Sequence, residues 1–156
     1  VPPEEVVWFV DWLERRSVVY QCNGGWAVDA LVGRETRPHR DLDVFLDEVA
    51  LDDALAVLRE RGYAVVDDWL PVRIELAAGD RRIDLHPMQI LPGGDGVQAL
   101  LDGGELVHRA ADRTTGSIGG RAVVVASAAR LLQLREGYEP REVDVHDVAL
   151  LRRLEG

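Results

Sequence analysis

The chain has 156 residues, with 18 basic and 28 acidic side chains, a formal charge of −10, and arginine at every basic position. Without a lysine amine there can be no Walker A loop, lysine-dependent kinase core or Schiff-base enzyme, because an always-protonated guanidinium cannot act as that nucleophile. The acidic surplus argues against the usual basic nucleic-acid surface and suits a cationic small molecule or simple solubility, while 47% apolar residues and four tryptophans exclude wholesale disorder.

Pro2 and Pro3 ahead of Glu4 and Glu5 mark a helix start, and Val6, Phe9, Val10 and Leu13 continue at helical spacing to Arg15 and Arg16. Trp8 and Trp12 lie four apart on this helix, a spacing that fits core packing or an aromatic wall. Ser17 to Cys22 reads as a short strand ending in Asn23-Gly24-Gly25, and Trp26 to Val32 as a helix stopped by Gly33. Arg34 to Arg40 is a polar connector. Asp41 to Leu46 alternates with period 2, so Asp41 and Asp43 share one strand face.

Leu51, Leu55 and Leu58 predict the next helix, closed by Gly62. Tyr63 to Val66, Val72 to Ala77 and Arg82 to His86 read as strands, the last two joined by a hairpin at Gly79-Asp80. Residues 92 to 96 and 102 to 104 carry loop signals, Ile118 to Val125 a hairpin around Gly119-Gly120, and Ser127 caps a helix to Arg135. A last helix runs from Arg141 to Leu154. The expected division is a core at residues 1–92 and a C-terminal subdomain at 93–156.

Cys22 is the sole cysteine, so no intrachain disulfide forms, a thiolate zinc site is not expected, and it fits a small core hydrophobe. No apolar stretch reaches the ~20 residues of a membrane-spanning helix, and the N-terminus is not a signal peptide. A cytoplasmic protein is expected, with no membrane partner; a start without Met suggests a trimmed or incomplete chain.

The chemistry gathers at Asp41 and Asp43, whose Cα atoms are about 6.7 Å apart on an extended strand. Unpaired and partly buried, they would repel by on the order of 1 to 4 kcal/mol, which calls for a cation between them. Hard oxygen donors suit Mg²⁺ completed by water and phosphate; a bare exposed strand edge is the alternative. Gly24-Gly25 at a strand-to-helix turn can hold phosphates on backbone amides, and Asp84 in the alternating Arg82-Ile83-Asp84-Leu85-His86 adds a third carboxylate. Together these describe a phosphoryl-transfer centre clamped by paired metals. His86 shares the face of Asp84, either orienting it or serving as a satisfied structural histidine.

The run from Gly24-Gly25-Trp26 through Thr36-Arg37-Pro38-His39 to Asp41-Leu42-Asp43 resembles the antibiotic nucleotidyltransferases of the lincosamide and aminoglycoside-2″ adenylyltransferase group. Ile83-Asp84-Leu85-His86-Pro87 resembles their third-carboxylate strand, and Gly137-Tyr138-Glu139-Pro140-Arg141 with His146-Asp147 their C-terminal helical segment. The likeness covers residues 5 to 152. Arg40 stands where some relatives carry a further acid, so that position is not counted as a ligand.

The resemblance implies an α/β (α+β) nucleotidyltransferase fold: a mixed sheet flanked by helices, with a small C-terminal helical part. It implies that Asp41, Asp43 and Asp84 hold Mg²⁺, two ions in all, with Asp84 the candidate general base. Gly24, Gly25, Arg34, Arg37 and His39 would bind the nucleoside triphosphate, ATP first among them. Tyr138, Glu139, His146 and Asp147 would line the acceptor pocket, helix capping by Asp144 or Asp147 being the other account. The implied reaction moves NMP to a hydroxyl of a small-molecule antibiotic and releases pyrophosphate. Alternatives are a toxin-type nucleotidyltransferase acting on protein or tRNA and a catalytically idle nucleotide-binding protein. A homodimer is expected if two subunits are needed to close the acceptor pocket.

Overall fold

A computed structural model describes residues 1–136 and 138–155. Helix α1 (Pro3–Arg15) opens with a proline and two glutamates in its first turn, where orphan N–H groups and the helix dipole favour them, and buries Val6, Phe9, Val10 and Leu13. Trp8 and Trp12 pack beside that stripe: Trp12 stacks on Phe9, and the guanidiniums of Arg61 and Arg16 cover Trp8 and Trp12. Packing is therefore their role. The expected strand from Ser17 begins only at Tyr20, because Ser17 takes a left-handed φ of 55° at the helix exit.

Strand β1 (Tyr20–Asn23) is fully buried and passes directly into α2 (Gly24–Val32), which starts at Gly24 itself rather than at Trp26. Strand β2 (Asp41–Asp47) follows the connector, then α3 (Leu51–Glu60), β3 (Ala64–Trp69), β4 (Arg73–Ala78) and β5 (Arg81–Ile90). Leu42, Val44 and Leu46 of β2 point to one side and join the helical residues Phe9, Leu13, Leu55 and Leu58 in a single apolar core. Cys22 is wholly buried there, and burial pushes its thiol up to about 12.

The stretch after residue 91 contains two strands that the sequence reading did not assign, β6 (Gly96–Ala99) and β7 (Glu105–His108). Each has four residues, too few for alternation to stand out between glycines. Tertiary contacts make them strands. Gly96 passes so close to Met88 that a Cβ would strike its sulfur, and Gln98 Oε1 accepts from buried His108 Nε2 at 2.9 Å across the pair. Strands β8 (Arg113–Ile118) and β9 (Arg121–Ala126) form the expected hairpin over Gly119-Gly120, both with positive φ. Ser127 Oγ then accepts from the Arg130 amide to cap α4 (Ala128–Leu134), and α5 (Glu142–Glu155) ends the chain.

Among the described residues, nine strands make a mixed sheet in the order β3-β4-β5-β2-β1-β9-β8, with β6 and β7 attached to the far end of β5. The central pair, β2 and β5, is parallel; β1 is antiparallel to β2 and parallel to β9. Strands β8 and β9 lie beyond residue 92 yet extend the same sheet. Among the described residues, no helix is long and apolar enough to cross a membrane.

Candidate active site

The parallel register of β2 and β5 sets Asp43 directly beside Asp84 and Phe45 beside His86. The neighbouring pairings extend that line across the sheet. Asn23 of β1 opposes Asp43, Glu75 of β4 opposes Asp84, and Asp67 of β3 opposes Glu75. Four carboxylates thus lie side by side on one face, and like charges in such positions need counter-charge. Arg73 supplies it, with its guanidinium 3.2 Å from Asp84 Oδ2, 3.3 Å from Glu75 and 3.4 Å from Asp67; Arg82 adds a 2.8 Å contact to Glu75.

Asp84 is mostly buried, and its Oδ1 has no hydrogen-bond partner among the described residues. Burial pushes its carboxyl up to about 6; the charge of Asp43 pushes the same way, against the pull of His86 and Arg73. Donor atoms of Asp43, Asp84 and His86 all lie within 4.8 Å of one another. Asp41, on the same strand face, is half-exposed and contacts Arg40 at 3.3 Å, outside that trio.

Above the acids sits the start of α2. Gly24 has a φ of 69°, and a Cβ there would run into the Asp43 carboxylate. Glycine lets the β1–α2 turn pass over that oxygen. Asn23 occupies the N-cap without capping, since its Oδ1 accepts from Gln21 Nε2, so no side chain at the cap takes the first-turn amides. Gly25 is packed equally closely: a Cβ would meet the Arg37 guanidinium and the His39 ring.

The connector between α2 and β2 is drawn inward by Asp29. Its carboxylate accepts from the Thr36 amide (2.7 Å), Thr36 Oγ1 (2.5 Å) and His39 Nε2 (2.6 Å). Burial alone would raise the Asp29 pKa, but the hydrogen bonds from His39 and Thr36 outweigh it and hold the carboxyl below its usual range. His39 is thereby a buried structural partner, tilted against Trp26, although its ring edges the cleft. Arg37 donates to both oxygens of Asp147, at 3.2 and 3.0 Å, and Arg135 adds a third contact at 3.3 Å. Asp147 is only 1% exposed. His146 turns to Thr36 Oγ1 at 2.9 Å.

These elements enclose an open cleft of about 550 Å³ lined by Asp41, Asp43, Phe45 and His86 on the sheet side and by Leu131, Leu134, Tyr138 and Val143 on the helical side. Gly24, Gly25, Arg37 and His39 reach it. Arg34 does not: it is exposed beside a separate depression with Pro3 and Gly119. Glu139 is exposed and outside the lining, and Gly137 lies outside the described residues. Tyr138 lines the cleft with its hydroxyl 3.4 Å from Asp144, which also accepts from the Arg141 amide and guanidinium, so Asp144 caps α5. Sequence reasoning missed Arg73, which only the antiparallel register of β4 and β5 brings to Asp84, and Arg135 and Arg141 at the cleft wall.

A lincosamide resistance protein of Staphylococcus haemolyticus is 29% identical over 155 residues, covering 99% of this chain and 96% of that one. The crystal structure of the lincosamide antibiotic adenylyltransferase LnuA with lincomycin bound superposes with a TM-score of 0.90 at 29% identity, over 99% of this chain and 98% of that one. The crystal structure of ANT(2″)-Ia in complex with adenylyl-2″-tobramycin shares the fold, with a TM-score of 0.73 at 19% identity over 99% and 89% of the two chains. The aminoglycoside-2″-adenylyltransferase family model matches residues 5–151, and the chain belongs to that family.

Proposed function

We propose that this protein inactivates an antibiotic by moving AMP from ATP onto one of its hydroxyls, with release of pyrophosphate, and that a lincosamide is the preferred acceptor. The observation that carries the reaction class is the register pairing of Asp43 with Asp84 beneath the uncapped start of α2. It sets carboxylates for a divalent ion directly against amides for a phosphate.

The residues present fit Mg²⁺. Asp84 Oδ1 is a buried acceptor with no donor, which is the condition of an oxygen awaiting a cation, and Asp43 faces it from the next strand. Asp43 and Asp84 would hold the ion, with Asp41 at the rim. When bound, Mg²⁺ neutralises triphosphate charge and completes its shell with phosphate oxygens. The amides of Gly24 and Gly25 and the helix dipole orient the phosphates. Arg40 on the cleft rim adds positive charge there. Asp84, facing Asp43 from the next strand, would accept the proton of the attacking hydroxyl. Residues 93–156 complete the acceptor side through α4 and α5, whose Leu131, Leu134 and Val143 present apolar surface.

The charge pattern of that wall supports a lincosamide over an aminoglycoside. Asp144 and Asp147, its buried acids, are already neutralised by Arg141, Arg135 and Arg37, leaving no free carboxylate among the described residues of that wall for several ammonium groups. Incubation with ATP, Mg²⁺ and either lincomycin or tobramycin, followed by mass spectrometry, tests both points. A mass gain of one nucleotide on lincomycin is expected. No product with either antibiotic overturns the acceptor class, and preferential modification of tobramycin overturns the choice between them.

A further inference from the structure

The side chains that converge at the floor of the cleft include an imidazole. His86 Nε2 lies 3.4 Å from Asp43 Oδ1 and 3.6 Å from Asp84 Oδ2. The first is a long hydrogen bond and the second lies beyond hydrogen-bond range. Around one octahedral ion with bonds of about 2.1 Å neighbouring donors stand roughly 3.0 Å apart, so Nε2 would close on each oxygen by about half an ångström with an ion between them.

We propose that His86 is a metal ligand through Nε2 beside Asp43 and Asp84, and that this nitrogen makes the site prefer Mn²⁺ to Mg²⁺. The inference rests on the nucleotidyl-transfer reading above. Two further features support it. The ring is stacked flat on Phe45, with centroids 4.1 Å apart and planes 8° apart, and Phe45 also meets the tilted ring of His108 at 4.5 Å. Stacking fixes the plane of His86, so its nitrogen edge is presented to the carboxylates. Arg73 engages Asp84 Oδ2 while Oδ1 stays buried without a donor, so the carboxylate keeps an acceptor that neither Arg73 nor His86 satisfies. Mg²⁺ favours an all-oxygen shell and dehydrates reluctantly, whereas Mn²⁺ takes imidazole while keeping positions for phosphate oxygens.

The experiment is Mn²⁺ titration of the nucleotide-free full chain by electron paramagnetic resonance, with pulsed detection of nitrogen coupling and Mg²⁺ as competitor. The wild type is expected to bind Mn²⁺ with one imidazole nitrogen coupled, to lose that binding in Asp43→Asn, and to release Mn²⁺ only at a Mg²⁺ excess on the order of tenfold or more. His86→Gln should lose the coupling and weaken Mn²⁺ binding on the order of tenfold or more, with Mg²⁺ affinity little changed. His86→Phe, which retains a ring on Phe45, gives the same comparison if circular dichroism shows the glutamine variant misfolded. Asp43-dependent Mn²⁺ binding without nitrogen coupling, or coupling that survives in both variants, overturns the assignment while antibiotic modification in Mg²⁺ stands. Coupling that disappears with His86, in a protein that modifies neither antibiotic, upholds the ligand and overturns the acceptor. Absence of Asp43-dependent binding of either ion overturns both.

Discussion

Asp43 is pressed from three sides: Gly24 passes over its carboxylate, Asp84 faces it across the strand pair, and His86 approaches from the next pleat. Its negative charge helps raise the pKa of Asp84, so at the level of this one side chain stability and chemistry conflict. Asp43→Asn should therefore lower transfer by at least on the order of 10³-fold while the melting temperature stays level or rises, checked by product formation and thermal unfolding of the same preparation. Loss of activity together with a collapsed melting temperature would instead mark Asp43 as structural. Arg73 is the counterpart to this residue. Its single guanidinium balances three carboxylates from three strands, which is why the acid row can be tolerated on a folded sheet.

At the scale of elements, the β1–α2 turn and the connector after α2 act as one piece. Gly25 is the point where they touch, with Arg37 and His39 filling the space a methyl group would need. His39 is held by Asp29 and cannot retreat, and Arg37 is held by Asp147, 110 residues away in sequence. Gly25→Ala should cost about 1–3 kcal/mol by overpacking, read from urea unfolding, and should also reduce transfer, because the amides of the α2 start shift with it. The glycine pair, the Asp41/Asp43 strand and the Asp84 strand were legible in sequence because each is a local pattern of period 2 or a turn signal. The roles of Arg37 and His39 were not. The sequence shows them as cations in a polar connector, and only the fold brings Asp29 and Asp147 close enough to turn them inward. The same limit hid β6 and β7, whose pairing depends on Met88 meeting Gly96 rather than on any pattern within four residues.

For the whole molecule, the buried histidine on β7 couples stability to pH. His108 is 1% exposed, and burial, with the charges of Arg130, His86 and Arg113, pushes its pKa down to about 4 from an ordinary value near 6.5. The unfolded chain binds the proton more readily, so the stability due to neutral His108 is fully present above pH 6.5 and is lost as pH falls toward 4. The loss amounts to roughly 3 kcal/mol at most. His108→Gln should flatten the fall in unfolding free energy between pH 7 and pH 5, measured by urea titration at each pH. An unchanged slope would show that other groups set the acid limit.

The parallel pairing of β1 with β9 joins Cys22 to Val125 across more than a hundred residues. During synthesis β1 therefore waits with one edge open until most of the chain has emerged, although β2, β5 and the acids of the cleft can already assemble on its other side. An open, fully buried-type strand edge is a template for pairing with another chain. The β8–β9 hairpin thus serves as a late-arriving shield: a nascent chain or fragment that ends before residue 113 carries Asp41, Asp43 and Asp84 but also a sheet edge prone to aggregation.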